Sequence, residues 1–412
     1  MKWLISLLAL SVATTLTVYQ LSFFNKPIGS SKQVMSKIEG FMEGVPSLPR
    51  YMEGGYSPLG RSPIVDALLA DPLYGPKYAQ NVAEKIKNET KLYELTSSLF
   101  SVAAIPLSNS KKLPISNAPP EKFLKAFPTT AKKLHSYWLS FLEIENEVRA
   151  VLSPLSQEER TWVKAHYEGF FFGEDRNDYD FFTTDSVYPL KFFELASKID
   201  LAKLSECATR LSLISDDFIQ NKEAFSQITL KEDFIWEENN LKFVISQKSQ
   251  TTLKENADFF IDLGGYNTVH NNAGGTEGLR NLALHLDLKG HNTYQGSNFV
   301  QGSGVLGVGM LVSCGGNNTY NADAYSQGCG FFGSGILVNL EGNNRFSLNF
   351  GGQSFALFGS SFLWDKKGHN EYLANHGMAQ AASSTLGVAF LVDNEGYNSY
   401  RSEERRVGKE CL

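Results

Sequence analysis

The chain has 412 residues, of which 42% are hydrophobic and 20% are charged, and its formal net charge is -6. This length and apolar content exclude an intrinsically disordered chain and are sufficient for about two or three domains with cores of their own. There is no basic excess and no run of Lys and Arg that could collect phosphates, so no nucleic-acid partner is expected.

An export signal is predicted at the N-terminus. One lysine precedes a mostly apolar segment over residues 3–24, and Asn25-Lys26-Pro27 follows it. This segment is just long enough to span a bilayer as a helix, whereas the apolar part of a cleaved signal usually has about 7 to 15 residues. Residues 1–32 are therefore predicted to be a signal peptide or a signal anchor, and in the uncleaved case residues 3–24 would hold the protein to a membrane. A buried core helix is the less favoured alternative.

Residues 33–256 are predicted to form an α-helical domain. This region is rich in charge, and its apolar residues recur three and four positions apart, which is the period of an amphipathic helix. Ser156 and Glu159 have the spacing of a capping box at a helix start. The predicted helical segments cover residues 78–100, 130–152, 156–171 and 190–214.

A repeat follows the helical region. Residues 262–400 contain 25 of the 35 glycines and only 14 charged residues. A Gly-x-Asn step recurs there, and its asparagines are 25, 26, 26, 26 and 28 residues apart. These asparagines are Asn267, Asn292, Asn318, Asn344, Asn370 and Asn398. Gly and Asn tolerate positive φ, so each step is predicted to be a turn whose Asn amides form a ladder between repeats.

Other positions keep the same register. An aromatic residue or valine lies two positions after each Asn, and apolar residues lie six and eight positions before it, which is strand alternation. A period of about 26 residues is typical of one coil of a parallel β-helix, whereas a propeller blade needs about 40. The predicted fold class is α+β and multidomain. An N-terminal α-helical region packs on a C-terminal right-handed parallel β-helix, which has about six coils over residues 257–400.

The strand before each Gly-x-Asn step is apolar on both faces. Its second apolar face is formed by Phe260, His285, Leu311, Leu337, Leu363 and Leu391. A strand that is apolar on both faces is covered on both faces. We therefore expect the helical region to pack along this side of the solenoid.

The column five positions before the asparagines contains the candidate metal ligands. It reads Asp262, Asp287, Ser313, Asn339, Asp365 and Asp393. Adjacent carboxylates repel each other unless a proton or a cation lies between them. Because Ser and Asn replace Asp in the middle coils, the favoured interpretation is that each side chain caps its own glycine turn. A weak Ca²⁺ site at the aspartates is the alternative, and no catalytic residue and no other cofactor is predicted.

The repeat resembles a group of exported bacterial repeat proteins. The segments Ile261–Val269, with the sequence IDLGGYNTV, and Gln301–Gly309, with the sequence QGSGVLGVG, are similar to the Asp-x-Gly-Gly-Asp-Asp-x-Tyr and Gln-Gly-x-Gly motifs of that group. The resemblance covers residues 262–400 and implies export and a solenoid, without implying an activity. Where the group has acidic pairs in the turn, this chain has pairs such as Tyr266-Asn267, which weakens a likeness to calcium rolls.

Residues 401–412 are interpreted as a non-native tail. The string Arg401–Cys411, with the sequence RSEERRVGKEC, interrupts the Gly/Asn pattern with a block of charge. It resembles the in-frame translation of a widely used DNA sequencing adapter, and such segments are set aside in fold reasoning. The native repeat domain is then expected to continue past Tyr400.

These patterns predict a non-catalytic exported protein of the periplasm or cell surface, with a polysaccharide or another envelope protein as the expected partner. A polar line on the solenoid is predicted at Asn272, Ser297, Asp323, Asn349 and Asn375. The alternative is a carbohydrate-active β-helix enzyme of the polysaccharide lyase or hydrolase type. Such an enzyme needs a paired acid and base in one groove, whereas the acids of this repeat are distributed over its turns.

Overall fold

The computed structural model describes residues 17–18, 74–103, 105–107, 113, 118–167 and 187–402. Within these ranges the chain forms an N-terminal helical region and a C-terminal parallel β-solenoid of about six coils. The predicted α+β fold class is confirmed. Most of the predicted export signal and nearly all of the predicted tail lie outside the described residues.

Eight helices lie in the described part of the chain. They are α1 (Tyr74–Ile86), α2 (Leu92–Val102), α3 (Glu121–Ala126), α4 (Ala131–Leu152), α5 (Gln157–Ala165), α6 (Val187–Ala196), α7 (Leu201–Gln220) and α8 (Lys222–Ser226). The capping box at Ser156 and Glu159 is confirmed at the start of α5.

Two of the predicted helical segments are each divided into two helices, because an aspartate caps a new helix start inside each. The carboxylate of Asp216 accepts hydrogen bonds from the N–H groups of Leu92 and Tyr93, at 2.8 and 2.9 Å, so α2 begins separately from α1. Asp200 accepts from the N–H of Lys203 at 3.0 Å and begins α7. Such contacts satisfy N–H groups that have no partner inside the helix.

The strands of the described residues form three sheets. They are β1 (Thr17–Val18), β2 (Phe234–Glu238), β3 (Leu241–Ser246), β4 (Thr252–Leu253), β5 (Phe259–Asp262), β6 (Thr268–Val269), β7 (Leu282–Asp287), β8 (Thr293–Gln295), β9 (Gly304–Val305), β10 (Val308–Ser313), β11 (Thr319–Asn321), β12 (Gly330–Phe331), β13 (Ser334–Asn339), β14 (Arg345–Leu348), β15 (Ala356–Leu357), β16 (Gly359–Asp365), β17 (Glu371–Ala374), β18 (Gly387–Asp393) and β19 (Ser399–Ser402). The sheet orders are β1-β18-β16-β13-β10-β7-β5-β3-β2, β19-β17-β14-β11-β8-β6-β4 and β15-β12-β9.

Equivalent strands pair in parallel and in the predicted register. Met310 of β10 lies opposite Ile336 of β13 and opposite Leu284 of β7, so consecutive coils are offset by 26 residues. Each complete central coil contributes one strand to each of the three sheets. The 26-residue period is therefore one coil of the solenoid.

The sequence predicts that the solenoid starts at residue 257, but in the structure it starts earlier in the chain. β3 and β4 pair in parallel with β5 and β6, and Ser246 lies opposite Asp262, only 16 residues further along the chain. This short first coil has no Gly-x-Asn step, so the repeat pattern does not extend to it. β2 pairs antiparallel with β3 and covers this end of the sheet. At the other end, β1 pairs with β18.

The nine-stranded sheet is covered on both faces, as predicted. Its outward residues, such as Met310, share a core with the helices, whereas inward residues, such as Leu311, line a second core inside the solenoid. Helix α4 stacks Trp138 on Phe243, with ring centroids 5.6 Å apart. Helix α7 crosses the middle strands, where the hydroxyl of Ser215 donates to Met310 Sδ at 3.1 Å.

The turn between the nine-stranded and seven-stranded sheets requires glycine. Gly316 has a φ of +104°, and a Cβ at this position would lie 1.5 Å from the carbonyl oxygen of Gly290 in the preceding coil. Only glycine combines this backbone conformation with so close an approach between coils. The glycine column therefore sets the spacing at which the neighbouring side chains stack.

Candidate functional site

The asparagines of the Gly-x-Asn steps form a ladder that is buried from Asn267 to Asn370. The Oδ1 atom of Asn318 accepts a hydrogen bond from the backbone N–H of Asn292 at 2.8 Å, and the Oδ1 atom of Asn344 accepts from Asn318 N–H at 3.0 Å. The same bond joins Asn267 to Asn292 at 2.8 Å. It joins Asn344 to Asn370 and Asn370 to Asn398 at 2.9 and 2.8 Å. The ladder thus satisfies one buried turn N–H per coil.

We expect Asn318→Ala to destabilise the protein by about 1–3 kcal/mol, because it leaves the buried N–H of Asn292 without an acceptor. Asn317→Ala, in the adjacent exposed position, is the matched control and should cost less. Urea unfolding followed by circular dichroism measures both free energies. Equal costs for the two variants would contradict the role of the buried ladder.

An aromatic stack runs beside this ladder inside the solenoid. Consecutive ring centroids are 4.7–4.9 Å apart, and the interplanar angles do not exceed 7°. Its members are Tyr294, Tyr320, Phe346, Tyr372 and Tyr400. The spacing equals the distance between neighbouring strands of a sheet, which confirms that each ring occupies one rung.

The first aspartate pair faces this interior. Asp262 and Asp287 lie opposite each other on neighbouring strands, and both are fully buried. Asp262 Oδ1 accepts from Gly264 N–H at 2.9 Å, and Asp287 Oδ1 accepts from Lys289 N–H at 3.2 Å. These are the turn-capping bonds that the favoured interpretation predicts.

The Oδ2 atom of Asp287 collects further hydrogen bonds. It accepts from Asn292 Nδ2 at 3.1 Å, from the Tyr294 hydroxyl at 3.0 Å and from the Ser313 hydroxyl at 2.9 Å. Asp262 Oδ2 accepts from Asn267 Nδ2 at 3.2 Å. Because donors stabilise the ionised form, Asp287 is the first of the pair to lose its proton.

The second pair occupies the same column and accepts hydrogen bonds through its Oδ2 atoms. Asp365 lies opposite Asp393, and its Oδ2 accepts from Asn344 Nδ2 at 2.9 Å. Asp393 Oδ2 accepts from the hydroxyls of Tyr372 and Tyr400 at 3.0 and 3.3 Å. Within the described part of the chain, the Oδ1 atoms of both aspartates have no hydrogen-bond partner. Asp393 therefore ionises before Asp365.

Burial raises the pKa of all four aspartates. The pKa of Asp262 rises to about 8, and the neighbouring Asp287 carboxylate adds to the effect of burial. Burial raises the pKa of Asp287 and of Asp393 to about 6. The pKa of Asp365 lies well above its usual range, because of burial and then of Asp393. At neutral pH Asp262 therefore holds a proton in the first pair.

In the first pair a proton is thus sufficient to relieve the repulsion that made Ca²⁺ an alternative. The described residues contain no group of three or more His, Cys, Asp or Glu side chains placed to hold a metal ion. The four candidate ligands are at most 2% exposed, and most of their oxygens already accept hydrogen bonds inside the solenoid.

We expect the thermal midpoint to be nearly the same in a few millimolar Ca²⁺ and in excess chelator, because ligand binding stabilises only when the free ligand exceeds its dissociation constant. Differential scanning calorimetry on the full chain measures both midpoints. A rise of more than about 10 °C in Ca²⁺, abolished by Asp287→Ala, would favour the calcium interpretation over turn capping.

One buried polar residue stands in a column that the sequence marks as apolar. His285 is fully buried, and its ring lies 4.9 Å from that of Phe260 and 5.9 Å from that of Tyr294. Neither ring nitrogen has a hydrogen-bond partner among the described residues. Burial lowers the pKa of His285 to about 3, so the ring is neutral and packs as an aromatic residue.

A second ladder lies on the outside of the same turns. We call it the turn ridge, and it consists of Tyr266, His291, Asn317, Asn343, His369 and Tyr397, all of which are exposed. Its side chains accept hydrogen bonds from the backbone N–H groups of the next coil. The bonds are His291 Nδ1 to Asn317 N at 2.8 Å, Asn317 Oδ1 to Asn343 N at 2.8 Å, Asn343 Oδ1 to His369 N at 2.9 Å and His369 Nδ1 to Tyr397 N at 2.8 Å.

The predicted polar line is present for most of its length. Asn349 Nδ2 donates to Asp323 Oδ1, and Asn375 Nδ2 donates to Asn349 Oδ1, both at 2.6 Å. Ser297 is also exposed, but Asn272 is buried and does not belong to this surface. The amide of Asn272 is used internally, because it bonds the backbone of Ala257.

No helix among the described residues has the length and apolar character needed to cross a bilayer. Comparisons with protein-family models, with curated proteins and with solved structures found no match to this chain.

Proposed function

We propose that this chain is a non-catalytic exported protein of the periplasm or cell surface, and that its β-solenoid is an interaction surface. The observation that carries the proposal is the difference between the buried ladder of the Gly-x-Asn asparagines and the exposed ladders on the outside of the solenoid. The exposed ladders, including Asp323, Asn349 and Asn375, repeat polar groups along the solenoid at one rung per coil. Regular exposed faces of this kind are the binding surfaces of solenoid proteins.

The burial of the two aspartate pairs supports the non-catalytic part of the proposal. Asp262, Asp287 and Asp365 are fully buried and Asp393 is 2% exposed, and they bond to turn and ladder groups of the solenoid. A general acid or base has to reach a bound substrate within hydrogen-bond distance. These four carboxyls are instead part of the packing of the interior.

The apolar segment at residues 3–24 and the resemblance to exported repeat proteins support the location. In this proposal the segment directs export, and it is either cleaved afterwards or retained as a membrane anchor, and in both cases β1 leaves its position beside β18. The partner on the outer side is a polysaccharide or another protein of the envelope.

Two measurements test the proposal. The full chain and a variant lacking residues 3–24 are expressed in a bacterium, and the cells are fractionated. We expect export of the full chain only, and recovery of both proteins in the cytoplasm would overturn the location. The purified full chain is then incubated with a polysaccharide panel, and new reducing ends and unsaturated products are measured. Turnover would overturn the non-catalytic function in favour of a lyase or hydrolase.

A further inference from the structure

The turn ridge presents hydrogen-bond donors to the solvent. The Oδ1 atoms of Asn317 and Asn343 accept backbone N–H groups, which leaves the Nδ2 amides as their remaining polar groups. Nδ1 of His291 and of His369 also accepts a backbone N–H, so the donor nitrogen of each ring is Nε2. These four donor groups bond to no other residue in the described part of the chain.

The donors are evenly spaced, and aromatic rings lie at both ends of the ridge. Tyr266 is 60% exposed and lies 5.3 Å from the ring of His291, and Tyr397 is 83% exposed and lies 5.5 Å from the ring of His369. The six positions occupy consecutive rungs of the solenoid. At about 4.8 Å per rung the ridge is about 24 Å long.

The exposed charged residues two positions before the ridge residues balance one another. The exposed residues two positions before each ridge residue in four of the coils are Lys289, Glu341, Lys367 and Glu395. Two positive and two negative side chains cancel over the length of the ridge. These positions therefore offer a polyanion no excess of positive charge.

We propose that the turn ridge binds an extended, uncharged polysaccharide. This inference rests on the proposed function, because it names the ligand of the solenoid surface. A pyranose chain presents hydroxyl and ring oxygens as acceptors at a regular interval, which suits a row of donors. Tyr266 and Tyr397 contribute apolar ring surface together with a hydroxyl, which suits the amphipathic sugar rings at the two ends.

The isosteric double variant Asn317→Asp/Asn343→Asp tests this assignment. A carboxylate oxygen still accepts the backbone N–H of the next coil, so the ladder is retained, while both outward donors are replaced by acceptors. The matched control is Gln295→Glu/Asn321→Asp, which makes the same chemical change on neighbouring rungs of the outer face of the seven-stranded sheet. Equal thermal midpoints for the two variants check that the fold is retained.

Affinity electrophoresis of the full chain uses hydroxyethylcellulose, galactomannan and a soluble β-1,3-glucan as uncharged probes, and polygalacturonate as the anionic probe. We expect at least one uncharged polymer to bind. We expect the ridge variant to bind it at least about tenfold more weakly, since two hydrogen bonds are lost, and the control variant to bind it as the native chain does. Tyr397→Ala, at an exposed position, should also weaken binding.

Other outcomes overturn the assignment. Binding that the ridge variant does not weaken would place the ligand elsewhere on the solenoid and leave the proposed function intact. Binding to polygalacturonate alone, or to no polymer, would exclude an uncharged polysaccharide while leaving export and the interaction surface as proposed. Cleavage of a probe, in contrast, would overturn the proposed function itself.

Discussion

Phe346→Ala is expected to destabilise the protein by about 3–5 kcal/mol. The Phe346 ring is fully buried between Tyr320 and Tyr372, with centroid distances of 4.9 and 4.8 Å. Truncation removes both stacking contacts and leaves a cavity that the adjacent coils cannot close, because the backbone ladders hold their spacing. Chemical unfolding with and without the substitution measures the loss.

Phe346→Tyr is the matched control, and we expect it to cost less than about 1.5 kcal/mol. The tyrosines of the stack direct their hydroxyls toward the Asp and Asn column, where Asn339 Nδ2 and Asp365 Oδ1 have no hydrogen-bond partner among the described residues. A cost below about 1 kcal/mol for Phe346→Ala would show that the stack is not a principal source of stability.

The protein is expected to lose at least about 3 kcal/mol of stability between pH 5 and pH 9. The folded-state pKa values of Asp287 and Asp393 are raised to about 6, and that of Asp262 to about 8. Groups whose pKa is raised on folding contribute stability that is fully present below the unfolded-state pKa near 4. That contribution is lost as the pH rises through the folded-state pKa. For Asp393 alone, a shift of about two pKa units corresponds to about 3 kcal/mol in all, of which about half is lost above pH 5, and Asp262 and Asp287 add to it.

Asp393→Asn should flatten this pH dependence and raise stability at pH 9 relative to the native chain. An Asn oxygen still accepts from the hydroxyls of Tyr372 and Tyr400, as Asn339 accepts from Tyr320 at 2.6 Å two coils away. Asp323→Asn, at an exposed position of the outer polar line, is the control. Thermal midpoints from pH 5 to pH 9 test both variants. An unchanged slope in Asp393→Asn would show that the buried pairs do not govern the pH dependence.

The coil length, the strand register and the interior stack were predictable because they depend on local periodicity. Gly, Asn and an aromatic residue recur together about every 26 residues. Only one alignment of the coils places all three in matching positions. Two apolar faces on one strand similarly required a covering layer, and helices α4 and α7 provide it. The short first coil was not predictable, because Ser246 and Asp262 share a register without a shared motif.

The roles of the polar residues depended on the tertiary structure. Asp262 and Asp287 are assigned to one column by the sequence alone, but their proton affinities follow from burial and from the number of donors that each accepts. The sequence likewise aligns Asn317 with Asn343 and Asn318 with Asn344, while only the packed turns place one pair outside and the other inside. Periodicity is a property of the chain, whereas burial and hydrogen bonding are properties of neighbours that lie a whole coil away.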